Sequence, residues 1–112
     1  MFRIAICDDD IGDLTRIENL TDKYQKEKKI PLNCEVFLNV IELLESLHRR
    51  TYDILILDIL MPGINGMQAA HEIREFDNNI KIIFLTSSPE YAVESYTVYA
   101  YHYLLKPITE ER

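Results

Sequence analysis

Basic charge is in short supply in this chain. Twelve lysines and arginines stand against 19 aspartates and glutamates, a formal net charge of -7 over 112 residues. Such a balance does not grip nucleic acid by itself, because neutralising phosphates takes a surplus of lysine and arginine. Long apolar runs are absent as well, so no membrane span is expected. Arg3 and Asp8 interrupt the first apolar run, which does not resemble a signal peptide, so none is expected there. Cysteine occurs twice, at Cys7 and Cys34, far apart and without a CxxC pattern. Both sit in strand-like runs and read as buried thiols of a reducing cytoplasm, not as a disulfide or a metal site. No GxGxxG follows the first strand, which argues against a dinucleotide-binding domain. His48, His71 and His102 share no metal-ligand spacing and read as surface residues. There is no internal repeat, low-complexity segment or linker.

What is present is a regular alternation of strand and helix signals, in a length that suits one domain over residues 1–112. Strands are predicted at Phe2–Cys7, Asn33–Phe37, Asp53–Leu57, Ile80–Leu85 and Tyr101–Leu105. The continuous apolar residues of the third predict a central strand covered on both faces. Ile11, Leu14, Ile17, Leu20 and Tyr24 mark one helical face. Ile41, Leu44 and Leu47 mark a second behind an Asn39 cap, and Met67, Ala70, Ile73 and Phe76 a third. Ser88-Pro89-Glu90 is a helix start, with Ala92, Val93, Tyr96 and Tyr99 behind it. Thr109-Glu110-Glu111 resembles the beginning of a fifth helix where the sequence ends. Right-handed crossovers, with the most apolar strands central, predict a doubly wound five-stranded parallel sheet of order 2-1-3-4-5 with the fifth helix missing or truncated.

That order brings the chemically interesting residues together. Asp8 and Asp9 follow the first strand, Asp58 follows the third, and Lys106 follows Leu104-Leu105 and precedes Pro107. All lie at the C-terminal edge of the sheet, where ligands bind in open α/β folds, at the switch point between strands one and three. Gathered carboxylates repel, and a hard divalent cation with oxygen ligands is the natural remedy. Mg²⁺ held by Asp9 and Asp58, with Asp8 reaching it through water, would also neutralise charge in phosphoryl transfer to a carboxylate. Each residue has a plainer reading when taken alone. Asp8, Asp9 and Asp10 could be a turn and helix cap, a reading that accounts for Asp10 and Asp13 but not for Asp58 or Lys106. Lys106 could be a solvated charge, Thr86 a strand end and Tyr103 ordinary packing.

Four segments, in order and each at a strand end, carry a specific resemblance. They are Ile6-Cys7-Asp8-Asp9, Leu57-Asp58-Ile59-Leu60-Met61-Pro62-Gly63, Phe84-Leu85-Thr86-Ser87 and Tyr103-Leu104-Leu105-Lys106-Pro107. The whole chain resembles a response-regulator receiver domain of two-component systems, with the flavodoxin-like fold. The resemblance implies phosphorylation of Asp58 by a sensor histidine kinase, Mg²⁺ bound by Asp8, Asp9, Asp58 and the backbone carbonyl of Leu60, and phosphoryl contacts from Thr86 and Lys106. It also implies a cis bond before Pro107 and a switch in which Tyr103 moves inward with Thr86. The readout surface would be the fourth helix and fifth strand, where Tyr91, Tyr96, Tyr99, Tyr101 and Tyr103 cluster, and where a receiver homodimer could form. Leu60 and Ser88 flank the path of an attacking water and are candidates for setting phosphate lifetime.

The segment Ser88-Pro89-Glu90-Tyr91-Ala92 and the run to Pro107 are similar to receivers of LytTR-type transcription regulators. The chain then reads as a truncated sensor half, with DNA contacted only through an output domain outside it. Three positions depart from that pattern: Tyr99 where a small residue is usual, His102 where an acid or Gly is usual, and Asn65 in place of a common Asp. A haloacid-dehalogenase-like phosphatase is the enzymatic alternative, since Asp8 and Asp10 have its DxD spacing with Asp8 as nucleophile. It leaves Asp58 idle and lacks a later acidic pair. A receiver acting without phosphate, through protein contacts alone, is the other alternative.

Overall fold

The computed structural model of the chain describes residues 2–107. Five strands, β1 (Phe2–Cys7), β2 (Leu32–Phe37), β3 (Ile54–Leu57), β4 (Lys81–Thr86) and β5 (His102–Leu105), alternate with α1 (Ile11–Lys28), α2 (Val40–Arg49) and α3 (Gly66–Phe76). All strand pairs are parallel, and the order is β2-β1-β3-β4-β5, as predicted. Strand alternation divides the apolar residues between two faces. Ala5, Cys7, Leu55, Leu57 and Phe84 pack against residues of α2 and α3. Ile4, Ile6 and Leu85 pack against Leu14 and Ile17 of α1.

Helix ends follow local chemistry. The Asp10 side chain accepts from Asp13 N–H and caps α1, which stops at Lys29 in the left-handed region (φ 56°), before Pro31. Asn39 caps α2. Asn65 and Gln68 form a reciprocal capping box on α3, so the departure at Asn65 has a structural role. Gly66 is required by packing. A Cβ there would lie 1.9 Å from the Asp58 carbonyl oxygen and 2.9 Å from Ile59 Cα, while its N–H donates to the Ile59 carbonyl at 2.9 Å.

Several expectations need correction. The inward face of α2 is Val40, Leu43, Ser46 and Leu47, and Ile41 is exposed. The Ser46 hydroxyl on that face is satisfied by Tyr52 OH at 2.7 Å, which in turn donates to Glu35 at 2.9 Å. In α1, Ile11 and Tyr24 are exposed, and the buried stripe is Leu14 and Ile17. Phe76 is also exposed and stacks on His48, with ring centroids 4.1 Å apart. β3 is central, yet only Leu55 and Leu57 are fully buried, with Ile54 and Ile56 partly so. Among the described residues α1 is the one helix on their face. The predicted start of a fifth helix at Thr109 lies outside the described residues.

The largest difference is the fourth helix. Ser88 does accept from Glu90 N–H at 3.3 Å, but regular helix does not follow. The segment winds into a short 3₁₀ helix, Glu94–Val98. Hydroxyls of Ser95 and Thr97 bond back to the carbonyls of Ala92 and Glu94, both at 2.6 Å, which competes with α-helical pairing. Arg74 of α3 takes further carbonyls, donating to Val98 and Ile80 at 2.7 Å, Asp77 at 3.2 Å and Tyr99 at 3.3 Å. Tyr99 ends the segment in the left-handed region (φ 53°), a conformation that favours glycine. A small residue is thus the natural occupant, and a tyrosine is held there.

Replacing Gly66 with Ala should lower the unfolding free energy by about 2 kcal/mol or more, because backbone atoms of the Asp58 segment must shift. Urea unfolding of Gly66→Ala beside the wild type measures it, and equal midpoints would contradict the close approach.

Candidate functional site

The C-terminal ends of β1, β3, β4 and β5 converge on one acidic centre. Asp8 and Asp58 are buried there and Asp9 is exposed. Backbone pairing continues one residue beyond the strands: Asp8 N–H donates to the Phe37 carbonyl at 3.1 Å, and Asp58 N–H to the Cys7 carbonyl at 3.0 Å. Both side chains are therefore fixed by the sheet. Their carboxylates are oriented by local amides. Asp8 Oδ1 accepts from Asp10 N–H at 2.9 Å, and Asp58 Oδ1 from Ile59 N–H at 2.8 Å. One oxygen from each of Asp8, Asp9 and Asp58 lies within 4.8 Å of the others. This all-oxygen donor set has the hardness and scale that Mg²⁺ prefers, so the residues present fit that ion.

Lys106 closes the centre. Its ammonium donates to Asp13 Oδ2 at 2.7 Å, Asp8 Oδ2 at 2.8 Å and Asp58 Oδ2 at 3.3 Å. Burial alone would lower the lysine pKa, but the bonds to Asp13 and Asp8 and the charge of Asp58 outweigh it and raise it. Burial raises the Asp8 pKa, and the bonds from Lys106 and Asp10 oppose that only in part. The Lys106–Pro107 bond is cis.

Thr86 is fully buried at the end of β4, and its hydroxyl accepts from Ser88 N–H at 3.3 Å. Its carbonyl accepts from Lys106 N–H at 2.9 Å, tying β4 to the lysine loop. Tyr103 is half-buried against Phe84, with ring centroids 5.9 Å apart, and its hydroxyl donates to the Ser88 carbonyl. Leu60 is exposed in the loop after Asp58. Of the clustered tyrosines, Tyr91 and Tyr103 pack against the core, while Tyr96, Tyr99 and Tyr101 are exposed. His48, His71 and His102 are exposed. Asp10 is spent on capping α1 and is exposed, so the DxD spacing does not place a second acid in the centre.

Asp13 is the site residue that sequence reasoning assigned to helix capping. It shares a helical face with Ile17, four residues on, and Ile17 is buried. That spacing points Asp13 towards the sheet and was the available signal.

The sequence profile of the response regulator receiver domain family matches residues 4–112. The sensory transduction protein LytT of Oceanobacillus iheyensis is 42% identical over 97 residues, covering 85% of this chain and 39% of LytT. The transcriptional regulatory protein BtsR of Escherichia coli is 36% identical over 112 residues, covering 100% of this chain and 45% of BtsR. Among solved structures, the response regulatory domain of MrkE from Klebsiella pneumoniae superposes with a TM-score of 0.88 at 26% identity, covering 99% of this chain and 88% of that one. The response regulator TrrA of Thermotoga maritima, solved in complex with Mg²⁺-BeF, gives 0.75 at 32% identity, covering 97% and 90%. The chain belongs to the response-regulator receiver family, whose members are signalling phosphoacceptors of two-component systems. It is homologous to LytTR-type regulators and spans less than half the length of these curated relatives.

Cys7 ends β1 beneath the acids. Burial first, then the charges of Asp8, Asp58 and Asp9, push its thiol from an ordinary 9.0 up to about 12. The native state thus holds this proton more tightly than the unfolded chain does. Its contribution to stability is complete below the unfolded value and is lost as pH rises through the folded one. Cys7→Ala should therefore show a shallower fall in urea midpoint between about pH 8 and about pH 10.5 than the wild type. Parallel pH curves would contradict this.

Proposed function

We propose that this domain receives a phosphoryl group on Asp58 from a sensor histidine kinase and passes the resulting change to a transcription-regulating output domain outside these residues. The observation that carries the reading is one ammonium, Lys106, bonded to both Asp8 and Asp58 beside a three-carboxylate group at the sheet edge. Asp8 and Asp58 are both buried, oriented by a local amide and bonded to Lys106, and the resemblance of the segment 57–63 to the receiver pattern supports Asp58 as the acceptor. Asp8, Asp9, Asp58 and the Leu60 carbonyl would hold Mg²⁺. When bound, that ion would neutralise charge on the phosphoryl oxygens and offset the repulsion between acceptor and donor.

The chain's own groups do the rest. The sheet fixes the Asp58 carboxylate for attack, which lowers the entropic part of the barrier. Lys106 supplies a positive charge to a phosphoryl oxygen. Thr86 turns its hydroxyl from the Ser88 amide to another phosphoryl oxygen. Ser88 also accepts from Tyr103, so a shift of the Thr86–Ser88 segment reaches β5 directly. Phosphorylation thus favours one of two arrangements through contacts made only in that arrangement. The exposed Tyr96, Tyr99 and Tyr101 beside β5 form the output face, where a second receiver docks. The homology to LytT and BtsR supports a LytTR-type DNA-binding output and a cytoplasmic setting. Among the described residues no helix is long and apolar enough to cross a membrane.

Incubation with acetyl phosphate and Mg²⁺ should add one phosphoryl group by intact mass. The addition should disappear in Asp58→Asn and with a chelator. A group that persists in Asp58→Asn would move the acceptor to Asp8 and revive the phosphatase reading.

A further inference from the structure

We infer that Asp13 is a brake on phosphorylation: it retains the Lys106 ammonium in the resting arrangement and must yield it to the incoming phosphoryl group. The inference rests on the reading of Asp58 as phosphoacceptor and adds a residue to it. An ammonium has three protons to donate, and three carboxylates, Asp13, Asp8 and Asp58, accept from it. A phosphoryl oxygen gains Lys106 only by displacing one of them. The Asp13 contact is the shortest at 2.7 Å and the Asp58 contact the longest at 3.3 Å, so the charge is held away from the acceptor.

Asp8 and Asp58 belong to the three-carboxylate group, where a bound cation competes with Lys106 for their charge. Asp13 stands outside that group, and no cation there weakens its hold. Its position is set by α1 itself: it lies in the first turn, its N–H bonded to the Asp10 cap at 3.2 Å. Its carboxylate is largely shielded from water, with a side chain 24% exposed, so the pair is less screened than a surface ion pair. Asp13 also adds a fourth negative charge to a site that must accept an anion.

In the transfer from acetyl phosphate, an Asp58 carboxylate oxygen bonds to phosphorus as the bond from phosphorus to the donor's oxygen breaks. Acetate leaves with that electron pair. Neutralising Asp13 frees Lys106 to follow the phosphoryl oxygens through this step.

The test compares phosphorylation rates of the full chain at fixed acetyl phosphate and Mg²⁺, read by intact mass. Asp13→Asn should be faster than wild type by roughly threefold or more. Asp13→Glu, which can still reach Lys106, should return towards the wild-type rate. Asp10→Ser removes one negative charge from the same helix end while keeping a cap, and it should leave the rate unchanged. An Asp13→Asn rate equal to or below wild type overturns the inference. So does an equal acceleration in Asp10→Ser, which would mean a general charge effect, or a failure of Asp13→Glu to restore the brake. A wild-type chain with no Asp58-dependent addition overturns the acceptor reading and this inference with it. An addition that ignores Asp13 overturns this inference alone.

Discussion

Mutual repulsion of carboxylates, relieved by one ammonium, is the constraint on which the working edge of this domain depends. Asp8, Asp13 and Asp58 come from the end of β1, the first turn of α1 and the end of β3. Lys106 reaches them from 98, 93 and 48 residues away along the chain. No local segment could assemble this arrangement. It needs β1 and β3 side by side, so that two acids meet, and β5 placed so that the loop after it reaches back over them. The parallel order β2-β1-β3-β4-β5 meets those conditions. The acids weaken the fold where they gather, and the lysine partly compensates with charge-assisted hydrogen bonds in a shielded place.

Precision at that edge comes from backbone, not from the acids themselves. Asp58 is pinned by its own N–H on β1, by the Ile59 amide on its carboxylate, and by the start of α3 pressed against its carbonyl. The last contact leaves no room for a side chain at Gly66. A helix start, a strand end and the Asp58 carboxylate are thereby tied into one unit. Lys106 and Ser88, by contrast, reach this edge from loops that follow β5 and β4.

Most of this was legible in the sequence because the signals were local and strong. Apolar runs ending in Asp8, Asp58 and Thr86 marked strands and site together, and right-handed crossovers left little choice of topology. The misreadings came from effects that are not local. The helical spacing of α2 places Leu44 and Leu47 correctly against the core but also admits Ile41, which is exposed, in place of Val40 and Leu43, because the neighbouring sheet decides which side turns inward. The fourth helix looked well started at Ser88-Pro89-Glu90, yet Arg74, from α3, claims carbonyls at its far end. Asp13 looked like a capping acid because its partner lies across the fold at Lys106.

Arg74 has a consequence for how such a domain can diversify. Its guanidinium holds the carbonyls of Val98 and Tyr99 in a stretch where regular helix bonds are lacking. The contour of the surface bearing Tyr96, Tyr99 and Tyr101 therefore depends in part on a side chain rooted in α3, beside the segment's own backbone bonds and remote from the acids in the hydrogen-bond pattern. A change at that one codon would alter this surface without removing any contact of Lys106 with the carboxylates. The acidic edge and this surface are thus free to diverge separately as sequences drift apart.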